Sequence, residues 1–414
     1  MQPHERFLNY IRIDTKSDDT TGTHPSFPGE FDLAKMLMSE LKDMGIEDVS
    51  IDDKCYLFAH IPATEGYEDC PALGFISHMD TAPDYSGTDV KPVIHEDYDG
   101  KDVVYPNGMT MRKKDFPHLA GLKGETLITS DGTTLLGADD KAGVAEIMTA
   151  IEKLINEKRP HGPISVAFTP DEEIGQGADF FDVDRFGAKY AYTVDGGDVC
   201  EIEYENFNAA DAFVEFFGVS VHPGSAKNVM KNAINIAHEF HGMLPEQERP
   251  EHTEGYEGFC HLTKINGTCG NAKLRYIVRD HDRQKFEQKK AYLEKCAGRI
   301  NEKYGKGTAV LTLKDSYYNM IEMIKPHMHL IETAKKAISD AGQKSVEVPV
   351  RGGTDGARLS YMGLPCPNLG TGGFNFHGPY EHITAERMEM ATMVILNIIG
   401  YYSETKASNA GFSL

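Results

Sequence analysis

Thr169-Pro170-Asp171-Glu172-Glu173-Ile174-Gly175 follows directly on Pro163-Ile164-Ser165-Val166-Ala167-Phe168. The upstream run is short, apolar and β-branched, which is the pattern of a buried strand. Three carboxylates therefore crowd the point where a strand ends, and in open α/β sheets that edge is where ligands bind. Adjacent acidic side chains repel, so the cluster needs a cation, a proton or full solvation. A solvated acidic turn would meet the last condition. Four further stretches of the same form argue for a shared site instead.

The first is Ala72-Leu73-Gly74-Phe75-Ile76-Ser77, a second apolar run, which ends in His78-Met79-Asp80. Residues two apart in an extended segment point to the same side, so this imidazole and carboxylate face one site. The second is Gly137-Ala138-Asp139-Asp140-Lys141-Ala142-Gly143. It opens a helix whose apolar face is Val144, Ile147, Met148, Ile151 and Leu154. N-capping accounts for an aspartate there, but not for two between glycines. The third is Tyr190-Ala191-Tyr192-Thr193-Val194, ending in Asp195-Gly196-Gly197; the fourth places His377 among the glycines of 372–378. Strands and helices that alternate in this way build a mostly parallel sheet with both faces covered.

The alternation breaks at residue 208. Strand-like 208–220, helix-like 226–243, strand-like 257–266 and 270–280, helix-like 282–304 and strand-like 308–315 follow in turn. That order is β-α-β-β-α-β, the ferredoxin-like unit. The α/β pattern then resumes, so residues 208–320 are expected as an inserted α+β domain, with 1–207 and 321–414 forming an α/β domain on a mixed, mostly parallel sheet. Leu127-Ile128-Thr129 and Thr133-Thr134-Leu135-Leu136 flank Ser130-Asp131-Gly132, a hairpin signal. Arg351-Gly352-Gly353-Thr354-Asp355-Gly356 is a glycine-rich turn without the context of a phosphate loop. A polar tail follows residue 403.

Composition narrows the chemistry. The chain of 414 residues carries 42 basic and 64 acidic side chains, a formal charge of −22. That sign opposes nucleic-acid binding and attraction to anionic membranes. No apolar run reaches the roughly 20 residues that span a bilayer. Seven scattered cysteines form no C-x-x-C pair. This argues against a disulfide framework or thiolate zinc site and fits a reducing cytoplasm. Any metal must be held by His, Asp and Glu.

His78, Asp139, Glu173, Asp195 and His377 make five such ligands, more than one tetrahedral zinc with an open position can use. They suit two ions of zinc, manganese or cobalt sharing a carboxylate. Metal-assisted hydrolysis also needs a proton acceptor beside the ions, and Glu172 is available. Asp80 is then free to orient His78.

His78-Met79-Asp80, Gly137-Ala138-Asp139-Asp140, Asp171-Glu172-Glu173, Asp195-Gly196-Gly197 and His377-Gly378 together resemble the five metal-site motifs of the co-catalytic zinc exopeptidases related to aminoacylase and carboxypeptidase G. The resemblance runs over nearly the full chain. It implies an aminopeptidase acting on tripeptides, with two zinc ions per subunit that cobalt or manganese could replace. It implies that His78 and Asp195 hold one ion, Glu173 and His377 the other, and that Asp139 bridges them and is followed by a cis peptide bond. Asp80 would orient His78, and Glu172 would be the general base. The inserted domain would be a lid and homodimerisation domain. Its His222 would polarise the scissile carbonyl, and its Arg279 would receive the peptide's C-terminal carboxylate. A dipeptidase or N-acyl amino acid deacylase remains open beside this, as does a metal-dependent dimer that only binds peptides; an intact Glu172 argues against the last.

Overall fold

Strands Leu73–His78 and Ile164–Thr169 are buried along their whole length. That is why both read as unbroken apolar runs rather than alternating ones. They lie at the centre of an eight-stranded sheet in the computed structural model, which describes residues 1–404. Its order is Asp48–Ile51, Leu57–Ile61, Ile164–Thr169, Leu73–His78, Tyr190–Gly196, Asn368–Gly370, Glu201–Glu203 and Val346–Glu347. The four strands from Ile164–Thr169 to Asn368–Gly370 pair in parallel, and Leu57–Ile61 joins them antiparallel, so the sheet is mixed. His78 is level with Thr169, and Ile76 with Thr193. The carboxyl ends of three neighbouring strands therefore reach one edge together.

Helix Ala138–Asn156 covers one face of the sheet, packing with helices Pro3–Tyr10 and Ala385–Glu404. Its expected apolar face, from Val144 to Leu154, is buried. Aromatic side chains fill the other face, where Tyr56, Phe58, Phe181 and Phe186 pack with Ile76, Leu359 and Leu364. Each such side chain taken from water contributes about 1.5–3 kcal/mol.

The chain divides into two units. One comprises Met1–Tyr204, Glu322–Val348 and the chain from Thr354 onward; the other comprises Glu205–Ile321 and Pro349–Gly353. The second unit is an antiparallel sheet ordered Phe259–Gly267, Asn271–Asp280, Asn208–Phe217 and Ala309–Tyr317. Helices Ala233–Gly242 and Arg283–Tyr304 bury Ile236, Phe240, Leu293 and Ile300 against Ala210, Ala212, Val214 and Phe216. The β-α-β-β-α-β order is thus present, and the fold is the expected α/β sheet with an inserted α+β domain.

Two readings need correction. Residues 349–353, expected with the α/β domain, pack with the second unit. Val350 N donates to Glu205 O, and the Arg351 guanidinium donates to the carbonyls of Thr253, Gly255 and Glu257. The 127–136 hairpin does not form either. Leu127–Thr129 pairs with Val93–His95 and His382–Thr384 instead. The main-chain donors that a ladder would need from Leu135 and Leu136 go to Ser86 O and the Glu381 carboxylate. From residue 405 the polar tail lies outside the described residues.

Candidate metal centre

The site begins with a turn. Asp171 sits at φ +56°, a left-handed conformation that Asp tolerates better than most residues. Ser26 N donates to both of its carboxylate oxygens, at 2.8 and 3.0 Å, and His24 Nδ1 lies 3.0 Å from Oδ2. Buried Glu30 accepts from Asp171 N at 3.1 Å. So fixed, the turn presents two successive N–H groups. Glu172 N donates to Asp80 Oδ1 (3.0 Å) and Glu173 N to Asp80 Oδ2 (3.1 Å). Asp80 Oδ1 is also 3.2 Å from His78 Nδ1. One fully buried carboxylate thus ties the ends of two parallel strands and orients an imidazole.

With Nδ1 engaged, His78 Nε2 faces the site. It lies 2.9 Å from Asp139 Oδ1 and 3.3 Å from Asp195 Oδ1. The other oxygen of Asp139, Oδ2, lies 3.3 Å from His377 Nε2, which is itself 2.9 Å from Glu173 Oε2. Asp139 therefore stands between two imidazoles, and each imidazole has a further carboxylate of its own. The Asp139–Asp140 peptide bond is cis. Both residues fall outside helical φ/ψ although they sit at the helix start.

The adjacent aspartates divide their work. His78, Asp139 and Glu173 each offer a donor atom within 4.8 Å of the other two, and so do His78, Asp140 and Asp195. Asp140 is already committed. It accepts from Ser77 Oγ, from His78 N at 3.2 Å and from Gly143 N at 3.3 Å. The capping explanation belongs to Asp140, and Asp139 is left to face the histidines.

Electrostatics favour a cation here. Burial pushes Glu173 up to about 8, with the Asp139 carboxylate adding to it, and Asp195 up to about 6. Burial, then the Asp195 charge, raises Glu172 well above the usual carboxylate range. Burial also opposes ionisation of Asp139. Hydrogen bonds from His377 and His78 outweigh it and hold that carboxyl well below its ordinary range. His377 is raised to about 11 by its bonds to Asp139 and Glu173. For His78, burial works against the charged form. The neighbouring Asp195, Asp139 and Asp80 overcome it and raise the imidazole well above its usual range.

A pair of divalent ions fits these residues. Glu173 Oε1 is buried with no hydrogen-bond partner among the described residues, as expected of an oxygen meant for a cation. The donors are imidazole nitrogens and carboxylate oxygens, which suit zinc, manganese or cobalt. All seven cysteines are free and none belongs to the cluster.

His222 and Arg279 belong to the second unit. His222 precedes the short turn Pro223–Ser225, and its Nδ1 accepts from Gly224 N at 3.1 Å. The ring hydrogen is then on Nε2, which becomes a donor. Arg279, on strand Asn271–Asp280, donates from Nη1 to the carbonyls of Ala210 and Val278, and its guanidinium lies 5.5 Å from the centre of the Tyr317 ring.

Several residues around the site were not singled out from the sequence. Asp84 Oδ2 is 3.5 Å from His377 Nδ1. Thr169 Oγ1 donates to buried Asp355 at 2.9 Å. Glu381 accepts from the backbone leading to Asp139. Each of them lies in or within four residues of a stretch that stood out: Thr169 opens the acidic turn, Asp84 follows Asp80, Asp355 sits in its glycine-rich turn and Glu381 follows His377.

The chain as a whole is similar to known proteins. Residues 204–307 match the model of a peptidase dimerisation domain. Peptidase T of Clostridium perfringens is 57% identical over 402 residues, covering 97% of this chain and 99% of the relative. Peptidase T of Clostridium novyi is 56% identical over 403 residues, covering 96% and 98%. Among solved structures, the aminopeptidase PepT of Bacillus cereus superposes with a TM-score of 0.78 at 25% identity, covering 97% of this chain and 98% of its own.

Proposed function

Because the chain belongs to the peptidase T family of metallopeptidases, we propose that it is a zinc-dependent aminopeptidase that releases the N-terminal residue of tripeptides in the cytoplasm. The observation that carries this reading is the position of Asp139, whose two oxygens face His78 and His377 separately. His78 and Asp195 would hold one ion, Glu173 and His377 the other, and Asp139 would serve both. Ions bound there lower the pKa of water and polarise a carbonyl oxygen. The chain's own groups do the rest. Asp80 keeps His78 Nε2 aimed at the site, and Glu172 takes the proton of the attacking water and passes it to the leaving amine.

The test is a panel of free and N-blocked di-, tri- and tetrapeptides, assayed with and without a chelator. The expected result is selective cleavage of free tripeptides, lost on chelation and restored by zinc, cobalt or manganese. Preference for dipeptides or N-acyl amino acids would instead mark a related amide hydrolase.

The second unit would supply substrate recognition and join two copies into a homodimer. Its match to a peptidase dimerisation domain supports this. Arg279, a guanidinium able to grip a carboxylate through two parallel bonds, would hold the peptide's C-terminus. His222 Nε2–H would donate to the carbonyl oxygen as negative charge develops. Arg279→Ala is expected to raise KM and to blur the preference for tripeptides over their C-terminal amides. His222→Ala is expected to lower kcat by about 10²–10³-fold, the loss typical of one oxyanion donor. If His222 acts on the partner's site, mixing inactive His222→Ala and Glu172→Gln subunits restores activity. No recovery despite subunit exchange would place His222 in its own subunit's site.

A further inference from the structure

Glu381 lies four residues after His377, in Gly378-Pro379-Tyr380-Glu381. It is 1% exposed. Its Oε2 accepts from Leu136 N at 2.7 Å and Gly137 N at 2.8 Å; its Oε1 accepts from Asp139 N at 2.9 Å. The three donors converge because Gly137 sits at φ +84°. A left-handed residue within a turn points neighbouring N–H groups into one concavity, a shape that binds anions. A side chain at 137 would be strained in this conformation, which favours glycine there. The anion comes from the same chain, 242 residues beyond Asp139.

At its other end, Glu381 closes the turn that carries His377. Glu381 N donates to Gly378 O at 3.2 Å. His377 has few other restraints: its side chain is 47% exposed and its φ is +64°. His78 and Asp195 differ in this respect, because each sits at the end of a central strand. Glu381 is thus the direct tie between the loop of His377 and the backbone of Asp139.

We infer that Glu381 is a positioning residue that fixes His377 relative to Asp139, and so sets the affinity of the ion that His377 and Glu173 share. The inference rests on the two-ion reading above. Its mark is selectivity. Loss of the clip moves His377 against Asp139 and Glu173, while the strand-borne pair of His78 and Asp195 keeps its place. Glutamine cannot replace the glutamate. All three N–H groups need an acceptor, and whichever oxygen becomes NH₂ faces at least one of them.

The experiment is a calorimetric titration of Zn²⁺ into metal-stripped full-length protein, repeated with Co²⁺ while its absorption spectrum is followed. Wild type is expected to take up two ions. Glu381→Gln is expected to weaken one binding step by about 10–100-fold, the usual cost of removing a group that orients a metal ligand. The other step should change far less, and the Co²⁺ spectrum should lose one of its two components. Glu381→Asp keeps the charge but shortens the reach, so it should show the same selective loss to a smaller degree. This variant also decides the matter if Glu381→Gln does not fold. Two ions bound with unchanged affinities in a folded variant would overturn the inference and leave the two-ion reading standing. So would equal weakening of both steps, which is the signature of general structural damage. A single ion in wild type would overturn the two-ion reading itself.

Discussion

Replacing Glu172 with glutamine is expected to lower kcat by about 10²–10⁴-fold, the range that general-base catalysis supplies, and to leave metal content and KM near wild type. The expectation follows from position. The Glu172 main chain is pinned to Asp80 at 3.0 Å, beside Glu173, whose Oε2 meets His377. The Glu172 carboxylate has no part in that contact, so an amide of the same shape would remove the proposed proton acceptor and little else. Steady-state kinetics on a tripeptide, with metal analysis of the same preparation, measure both halves. Near-normal turnover would move the base to another residue. Loss of metal would make Glu172 a ligand.

Asp139→Ala is expected to abolish activity by a different route. Its two oxygens are the contacts at 2.9 Å to His78 and 3.3 Å to His377. Removing them would withdraw a donor from each of the two ions proposed there. Each affinity should fall by more than about 10²-fold, since loss of a group that merely orients a ligand already costs up to that much. Asp195→Ala should weaken one ion only. Titrating zinc into the two variants separates the cases. An Asp139→Ala protein that still holds one ion at wild-type affinity would refute the shared role.

The sequence was legible where chemistry and periodicity coincide. His78, Glu173 and Asp195 lie at or just beyond the ends of parallel strands. An apolar run followed at once by a ligating side chain is visible in one dimension. Asp139 stood out for a related reason, as one acid too many at a helix start. What could not be read are the contacts made through main-chain N–H groups. Ser26 N holding Asp171, and Leu136 and Gly137 N holding Glu381, involve donors that every residue except proline carries. The same blindness produced the false hairpin at 127–136. The residue types suited a turn, but distant acceptors had taken the donors. Nor does local pattern reveal which body a short segment joins, and residues 349–353 were misplaced for that reason.

That segment has a consequence for synthesis on the ribosome. Residues 205–321 emerge with all four strands and both long helices of the second unit, yet the unit is incomplete at that moment. The carbonyls of Thr253, Gly255 and Glu257 receive their guanidinium only when Arg351 has been translated, after strand Val346–Glu347 has followed. The chain therefore passes from one unit to the other four times between Tyr204 and Thr354. Neither unit can be finished from one uninterrupted stretch of nascent chain, and a gene fragment encoding 205–321 alone specifies a body that lacks its closing piece.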